Sequence, residues 1–222
     1  MTDTRQELDW RGAVPVSRRF DDPYYSLEDG LAETRHVFLA GNGLPGRFAS
    51  GFHIAELGFG TGLNLLVALQ AWRESGQDGR LRFTSFEAFP LAAGDMIRAQ
   101  AAFPELALVA AELAPFWQAG ATRIDLPDLA FDLIAGDARA TLPVWAGRAD
   151  AWFLDGFAPA RNPELWEQAL LAEVVAHMAP GGTAATYSAA GQVRRGLADA
   201  GLVVERVAGY GRKRHMTVAR KP

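Results

Sequence analysis

The stretch Glu56-Leu57-Gly58-Phe59-Gly60-Thr61-Gly62 sets an acid ahead of three alternating glycines, between apolar 52–55 and a second apolar run that begins Leu63-Asn64-Leu65. Strand, glycine turn and helix in that order bring backbone close to a ligand, and the helix start offers it unpaired N–H groups. A dinucleotide fingerprint requires G-x-G-x-x-G, and Leu63 stands where its third glycine or alanine belongs. The spacing instead suits S-adenosylmethionine. Its amino group and ribose want an acceptor and its carboxylate wants N–H donors, which makes Glu56, Gly58, Phe59, Gly60, Thr61, Gly62 and Asn64 the candidate cofactor residues.

Three more acids extend this chemistry. Glu87 closes the stretch 81–87, read as a strand, where a carboxylate can accept both ribose hydroxyls. Asp137, after Ile134-Ala135-Gly136, can accept from an adenine amine, cap a helix starting at Ala138, or do both. Asp155 ends the apolar run Trp152-Phe153-Leu154, and Gly156 with Pro159 and Pro163 then fixes Phe157 beside it. An acceptor that orients an amine lone pair, next to an aromatic wall, is what methyl transfer to nitrogen needs. A cationic sulfonium also favours an aromatic face.

These residues need a scaffold that gathers strand ends. The stretches 52–57, 81–87, 129–135, 151–154, 183–187, 202–207 and 215–219 read as strands. Helices are expected over 61–72, 92–103, 105–118, 138–145, 163–178 and 192–200, the fifth capped by Asn162 with Pro163 in its first turn and stopped by Gly181-Gly182. A run at 121–126 forms a hairpin with 129–135 across Pro127-Asp128. The alternation predicts an α/β fold, a mostly parallel seven-stranded sheet with a terminal antiparallel strand, covered by helices on both faces. Such a sheet binds ligands at its carboxyl rim, where Gly58, Glu87, Asp137, Asp155 and Tyr187 would converge. Residues 1–51, rich in Gly, Pro, Asp and Arg, read as an N-terminal extension packed on the 52–222 core, with one helix over 27–39.

Composition narrows the chemistry. The 222 residues suit one domain and contain no cysteine, which excludes disulfides, thiolate metal sites and a cysteine nucleophile. Methylation of a pyrimidine carbon usually needs such a nucleophile, so the acceptor is expected to be nitrogen or oxygen. The four histidines show no paired spacing, and no metal site is expected. The first ten residues are polar and no apolar run reaches membrane length, which predicts a cytoplasmic protein without membrane contact. The net charge is −4, yet 206–222 carries six bases and no acid, an expected local anion site.

The segments 56–64, Ser85-Phe86-Glu87-Ala88-Phe89-Pro90, 152–163 and Gly209-Tyr210-Gly211-Arg212-Lys213-Arg214, with 15–22, 33–39 and 188–201, together resemble the methyltransferase half of the MnmC family of tRNA wobble-uridine modification enzymes. His215 departs from the acid expected there. The resemblance implies a Rossmann-like class I S-adenosylmethionine-dependent methyltransferase. Its expected reaction methylates the exocyclic amine of 5-aminomethyl-2-thiouridine, with Asp155 as the catalytic acceptor. It further implies an anticodon stem-loop as partner, with Arg161, Arg194, Arg195, Arg212, Lys213 and Arg214 toward phosphates. Tyr24, Tyr25, Phe157 and Tyr187 are the expected stacking residues for an extruded base. Family members with a fused flavin oxidase prepare the amine themselves. No second dinucleotide fingerprint occurs here, so a separate oxidase or other enzyme is expected to supply it. A small-molecule amine methyl- or aminopropyltransferase, and a non-catalytic RNA-binding module, remain open alternatives.

Overall fold

The computed structural model describes residues 7–222; residues 1–6, part of the polar start read for a leader, lie outside the described residues. The first strands fall where the sequence reads as an irregular extension. Strands β1 (Leu8–Arg11), β2 (Val14–Ser17) and β3 (Asp22–Pro23) pair antiparallel in a small sheet. They are too short for a repeating pattern and contain two prolines, which hides them from periodicity. The helix expected over 27–39 is a single turn, α1 (Gly30–Thr34), capped by Asp29 Oδ1 accepting from Ala32 N at 2.9 Å. It widens into a π-helical turn over Arg35–Leu39.

The main sheet follows. Its strands are β4 (His53–Leu57), β5 (Leu81–Glu87), β6 (Arg123–Asp125), β7 (Leu129–Ala135), β8 (Ala149–Leu154), β9 (Met178–Thr186), β10 (Val203–Ala208) and β11 (His215–Arg220), in the order β10-β11-β9-β8-β4-β5-β7-β6. Pairings β4–β5, β4–β8, β5–β7 and β8–β9 are parallel, whereas β11 runs antiparallel to β9 and β10. The expected seven strands gain an eighth, because the hairpin strand β6 adds to the edge antiparallel to β7.

Burial of both faces explains the unbroken apolar runs. Along β8, Ala151 and Phe153 enter one core while Trp152 and Leu154 enter the other. Helix α2 (Leu63–Glu74) packs on the first face through Leu65, Leu66, Leu69 and Trp72, in a core shared with Val14, Tyr25, Leu31 and Phe38. Helices α3 (Ala93–Gln100) and α4 (Ala107–Gln118) join the same core through Met96, Val109 and Leu113. The second face is covered by α5 (Ala138–Thr141), α6 (Gln168–Ala176) and α7 (Gly191–Asp199), through Ala138, Leu170, Leu171, Val174 and Leu197.

Two expectations for the 163–187 region are corrected. Residues Pro163–Trp166 form a separate 3-10 turn and Asn162 makes no side-chain cap. The turn is drawn aside because buried Trp166 donates its indole N–H to Phe157 O at 2.9 Å. Gly181-Gly182 does not stop the helix, which ends before His177; the pair lies inside β9, at a register shift against β8. A bulge uses small residues for the same conformational reason as a helix stop, so composition alone does not separate them.

Candidate active site

From β4 the chain builds β5 and β7 on one side, then returns to lay β8 and β9 on the other. The loops leaving β4 and β8 therefore part over a crevice at the carboxyl rim. Leu57 pairs with Leu154, which sets Gly58 against Asp155. Asp155 N–H donates to Leu57 O at 3.0 Å and Gly58 N–H to Phe86 O at 2.9 Å. A cavity of about 750 Å³ opens above this junction.

Most of the residues singled out in the sequence line that cavity. Gly58, Phe59, Gly60, Thr61 and Asn64 contribute from the glycine turn and the start of α2. Glu87 and Asp137 contribute from the ends of β5 and β7, Asp155 and Phe157 from the loop after β8, and Tyr187, Arg212 and Lys213 from the far wall. Glu56, Gly62, Arg161, Arg194, Arg195 and Arg214 lie outside the lining. Glu56 points into the core and is 0 % exposed, and Gly62 faces Phe59 and Gln100. Arg161 pairs with Asp21 at 3.1 Å, and Arg195 and Arg214 are exposed.

Three carboxylates are braced from within. Asn64 Nδ2 donates to Glu56 Oε1 at 2.8 Å and to Asp155 Oδ2 at 2.6 Å, and Ser85 Oγ donates to Glu56 Oε2 at 2.6 Å. One carboxamide thus links the buried acid to the one at the cavity. Glu87 Oε2 accepts from Gly60 N–H at 3.0 Å and Oε1 from Phe89 N–H at 2.8 Å. The acid shapes the glycine turn and keeps a lone pair on each oxygen for a ligand hydroxyl. Asp137 caps α5, accepting from Arg139 N–H at 2.9 Å, and pairs with the Arg139 guanidinium at 2.7 Å. Those bonds hold its carboxyl below the usual range.

Burial pushes the Glu56 carboxyl up to about 8 and that of Asp155 up to about 7, and it raises Glu87 as well. A carboxyl raised on folding stabilises the protein below its ordinary value and loses that contribution as pH climbs through the folded one. The cofactor-free protein is therefore expected to lose on the order of 3 kcal/mol between about pH 5 and pH 8 from Glu56. Glu56→Gln should flatten much of this decline, as urea unfolding across the pH range will measure. An equally steep decline in the variant would assign the pH dependence elsewhere.

The aromatic candidates separate into two groups. Phe157 stacks on Phe20, with ring centroids 4.8 Å apart, and meets Tyr24 edge-on at 5.1 Å. These rings wall the cavity. Tyr25 and Tyr187 also line the cavity, each with its hydroxyl already bonded. Tyr25 donates its hydroxyl to Ala13 O at 2.8 Å and packs edge-on against Phe103, and burial raises its phenol to about 12. Tyr187 donates to Gly156 O at 2.5 Å, and Lys213 Nζ covers its ring at 3.8 Å. Sequence reasoning did not single out Phe20, Asp22 or Glu33, which also line the cavity. Their signal was weak, since they lie before the main sheet, Asp22 in the two-residue β3 and Glu33 in the five-residue α1, elements too short for periodicity to reveal. Among the described residues no group of three or more His, Cys, Asp or Glu could hold a metal ion, and no helix is long and apolar enough to cross a membrane.

Comparison with known proteins agrees with this geometry. The chain is 47% identical over 233 residues to the tRNA 5-methylaminomethyl-2-thiouridine biosynthesis bifunctional protein MnmC of Caulobacter sp. (strain K31), covering 99% of this chain and 39% of that protein. The protein of the same name from Pseudomonas aeruginosa (strain UCBPP-PA14) is 48% identical over 222 residues, covering 95% of this chain and 34% of its own length. The chain thus spans less than half the length of these relatives. The crystal structure of MNMC2 from Aquifex aeolicus superposes with a TM-score of 0.79 at 26% identity, over 100% of this chain and 72% of that one. A methyltransferase from Pyrococcus furiosus shares the fold, with a TM-score of 0.50 at 16% identity, over 97% of this chain and 89% of that one. The family profile described as S-adenosyl-L-methionine-dependent methyltransferase matches residues 104–222. A match over more than half of the chain, on a sheet whose switch point forms the cavity just described, makes this protein a member of the S-adenosyl-L-methionine-dependent methyltransferase family.

Proposed function

We propose that the protein methylates the exocyclic amine of 5-aminomethyl-2-thiouridine at the tRNA wobble position, giving 5-methylaminomethyl-2-thiouridine. The observation that carries this reading is the junction of Gly58 with Asp155 on one cavity. It puts the turn suited to the methyl donor beside a carboxylate suited to an amine. The names of the MnmC relatives and of the Aquifex protein support the choice of substrate.

The residues present fit S-adenosylmethionine. A Cβ on Gly60 would come within 2.8 Å of Tyr24 Cδ1, so bare backbone faces the cavity there. Gly58, Gly60 and Thr61 would hold the amino-acid end, Glu87 the ribose and Asp137 the adenine amine. When bound, the cofactor supplies an electrophilic methyl group on a sulfonium. Asp155 would hold the acceptor amine: Asn64 occupies Oδ2, which leaves Oδ1 for the amine proton. A primary alkyl amine has a pKa of about 10 and attacks only when neutral, so the site must also lower its proton affinity. Phe157, Phe20 and Tyr24 exclude water, which disfavours the ammonium. As nitrogen takes the methyl group, its proton passes to Asp155. In this reading exposed Arg195 and Arg214, with Arg161, Arg194 and Arg212, would take the anticodon-loop phosphates.

Incubation with labelled S-adenosylmethionine and tRNA from a strain lacking this methylation tests the proposal. Mass spectrometry of the nucleosides should show labelled 5-methylaminomethyl-2-thiouridine. Label on free amines without RNA, and none in the tRNA, would favour a small-molecule methyltransferase instead.

A further inference from the structure

The turn 209–214 between β10 and β11 carries three consecutive bases, and they do different things. Arg212 reaches Glu28 at 2.6 Å with 90% of its side chain exposed, and Arg214 is exposed. Lys213 reaches back toward the cavity with 44% of its side chain exposed. Its Nζ lies 2.9 Å from Glu33 Oε1, whose side chain is only 12% exposed, and 3.8 Å from the centre of the Tyr187 ring. That tyrosine donates its hydroxyl to Gly156 O, the carbonyl next to Asp155. An anion and a π face therefore fix this ammonium in the cavity that Asp155 lines. It is one of only two lysines in a chain whose other bases are arginines, and it supplies a compact point charge.

The site needs such a charge. Asp155, Glu33 and Glu87 surround the place where an amine must be uncharged, and negative neighbours favour the ammonium. We propose that Lys213, clamped by Glu33 and Tyr187, is a charge-setting residue that lowers the proton affinity of both Asp155 and the acceptor amine. It touches neither reacting atom and acts through space. Glu33 from α1 and Tyr187 after β9 contact its ammonium, and Asp22, Asp155, Glu87, Tyr210 and Arg212 line the same cavity. Burial holds the Asp155 carboxyl up at about 7; of its charged neighbours, Glu33 and Glu87 push it further up and Lys213 pulls it down. A lysine already committed to Glu33 is poorly disposed toward a tRNA phosphate, the role its sequence context suggests. The statement about the amine rests on the tRNA reading above, and the statement about Asp155 does not.

Lys213→Met and Lys213→Arg test this through two readouts. The first is the Asp155 carboxyl titration, followed by carbon NMR in the cofactor-free protein and assigned against Asp155→Asn. The second is the pH profile of single-turnover methylation with enzyme saturating. Lys213→Met should raise the Asp155 midpoint by about one pH unit. It should move the rising limb of the rate upward by as much, so that activity falls about fivefold at pH 7 and recovers near pH 9. Lys213→Arg keeps the charge and should leave both readouts close to wild type. An unchanged Asp155 midpoint with a uniform loss at every pH would overturn the proposal in favour of a structural role. A raised KM for tRNA with an unchanged pH profile would overturn it in favour of a phosphate contact. If wild-type protein fails to methylate the tRNA, the substrate reading falls, and the Asp155 midpoint still decides what Lys213 does.

Discussion

Asp155→Asn is expected to slow single-turnover methyl transfer by about 10³-fold, within the range lost when a positioned proton acceptor is removed. The substitution preserves shape. A carboxamide at this position can still accept from Asn64 Nδ2, which holds the native carboxylate at 2.6 Å. Its other end then presents an N–H toward the amine, so the acceptor is replaced by a donor and the proton has no destination. Folding should not suffer, because burial raises the native carboxyl to about 7 and the neutral amide escapes that desolvation cost. Unfolding measurements should accordingly show equal or greater stability at pH 8, and calorimetry should show S-adenosylmethionine affinity within a few fold of wild type. In the wild type the rate should rise with pH through the neutral range as the carboxylate forms. Near-wild-type transfer by the variant would remove Asp155 from the mechanism.

Gly58→Ala is expected to abolish cofactor binding and transfer together and to destabilise the protein by on the order of 3 kcal/mol. The glycine sits at φ +88°, and a Cβ there would collide with the carbonyl oxygen of Asp155. Neither can yield cheaply. Gly58 N–H is bonded to Phe86 O and Asp155 N–H to Leu57 O, so a shift of either loop breaks pairing at the sheet rim. Gly94→Ala offers the contrast. That position lies within α3 and meets nothing within 4 Å, so alanine should be neutral or slightly stabilising there. Urea unfolding and calorimetry on the two variants provide the comparison. Wild-type cofactor affinity in Gly58→Ala would mean that the turn does not approach the ligand.

The parts of the fold readable in advance are those where one local rule dominates. Ala151-Trp152-Phe153-Leu154 is apolar on both faces because both faces are covered, and a run of that kind names a buried strand and its end. The glycine turn announces itself through backbone needs that side chains cannot meet. Reading failed where one composition serves two conformations. Gly181-Gly182 suits a helix stop as well as the bulge it forms in β9. Pro163 opens a 3-10 turn because Trp166 is drawn to Phe157, a contact that the helical pattern does not encode.

By itself, then, the sequence determined the order of the main-sheet strands and helices, the glycine turn after the first of them, and the delivery of Glu87, Asp137 and Asp155 to strand ends. Each follows from residues close together along the chain. Only the tertiary structure decided which groups share the sparsely hydrated space above the sheet. It buried Glu56 behind Asn64, tied the Tyr25 and Tyr187 hydroxyls to backbone carbonyls, and turned Lys213 onto Glu33 from the opposite end of the chain. Side-chain partners remote in sequence are selected by packing and by the cost of leaving a buried charge unpaired, and neither leaves a local pattern to read.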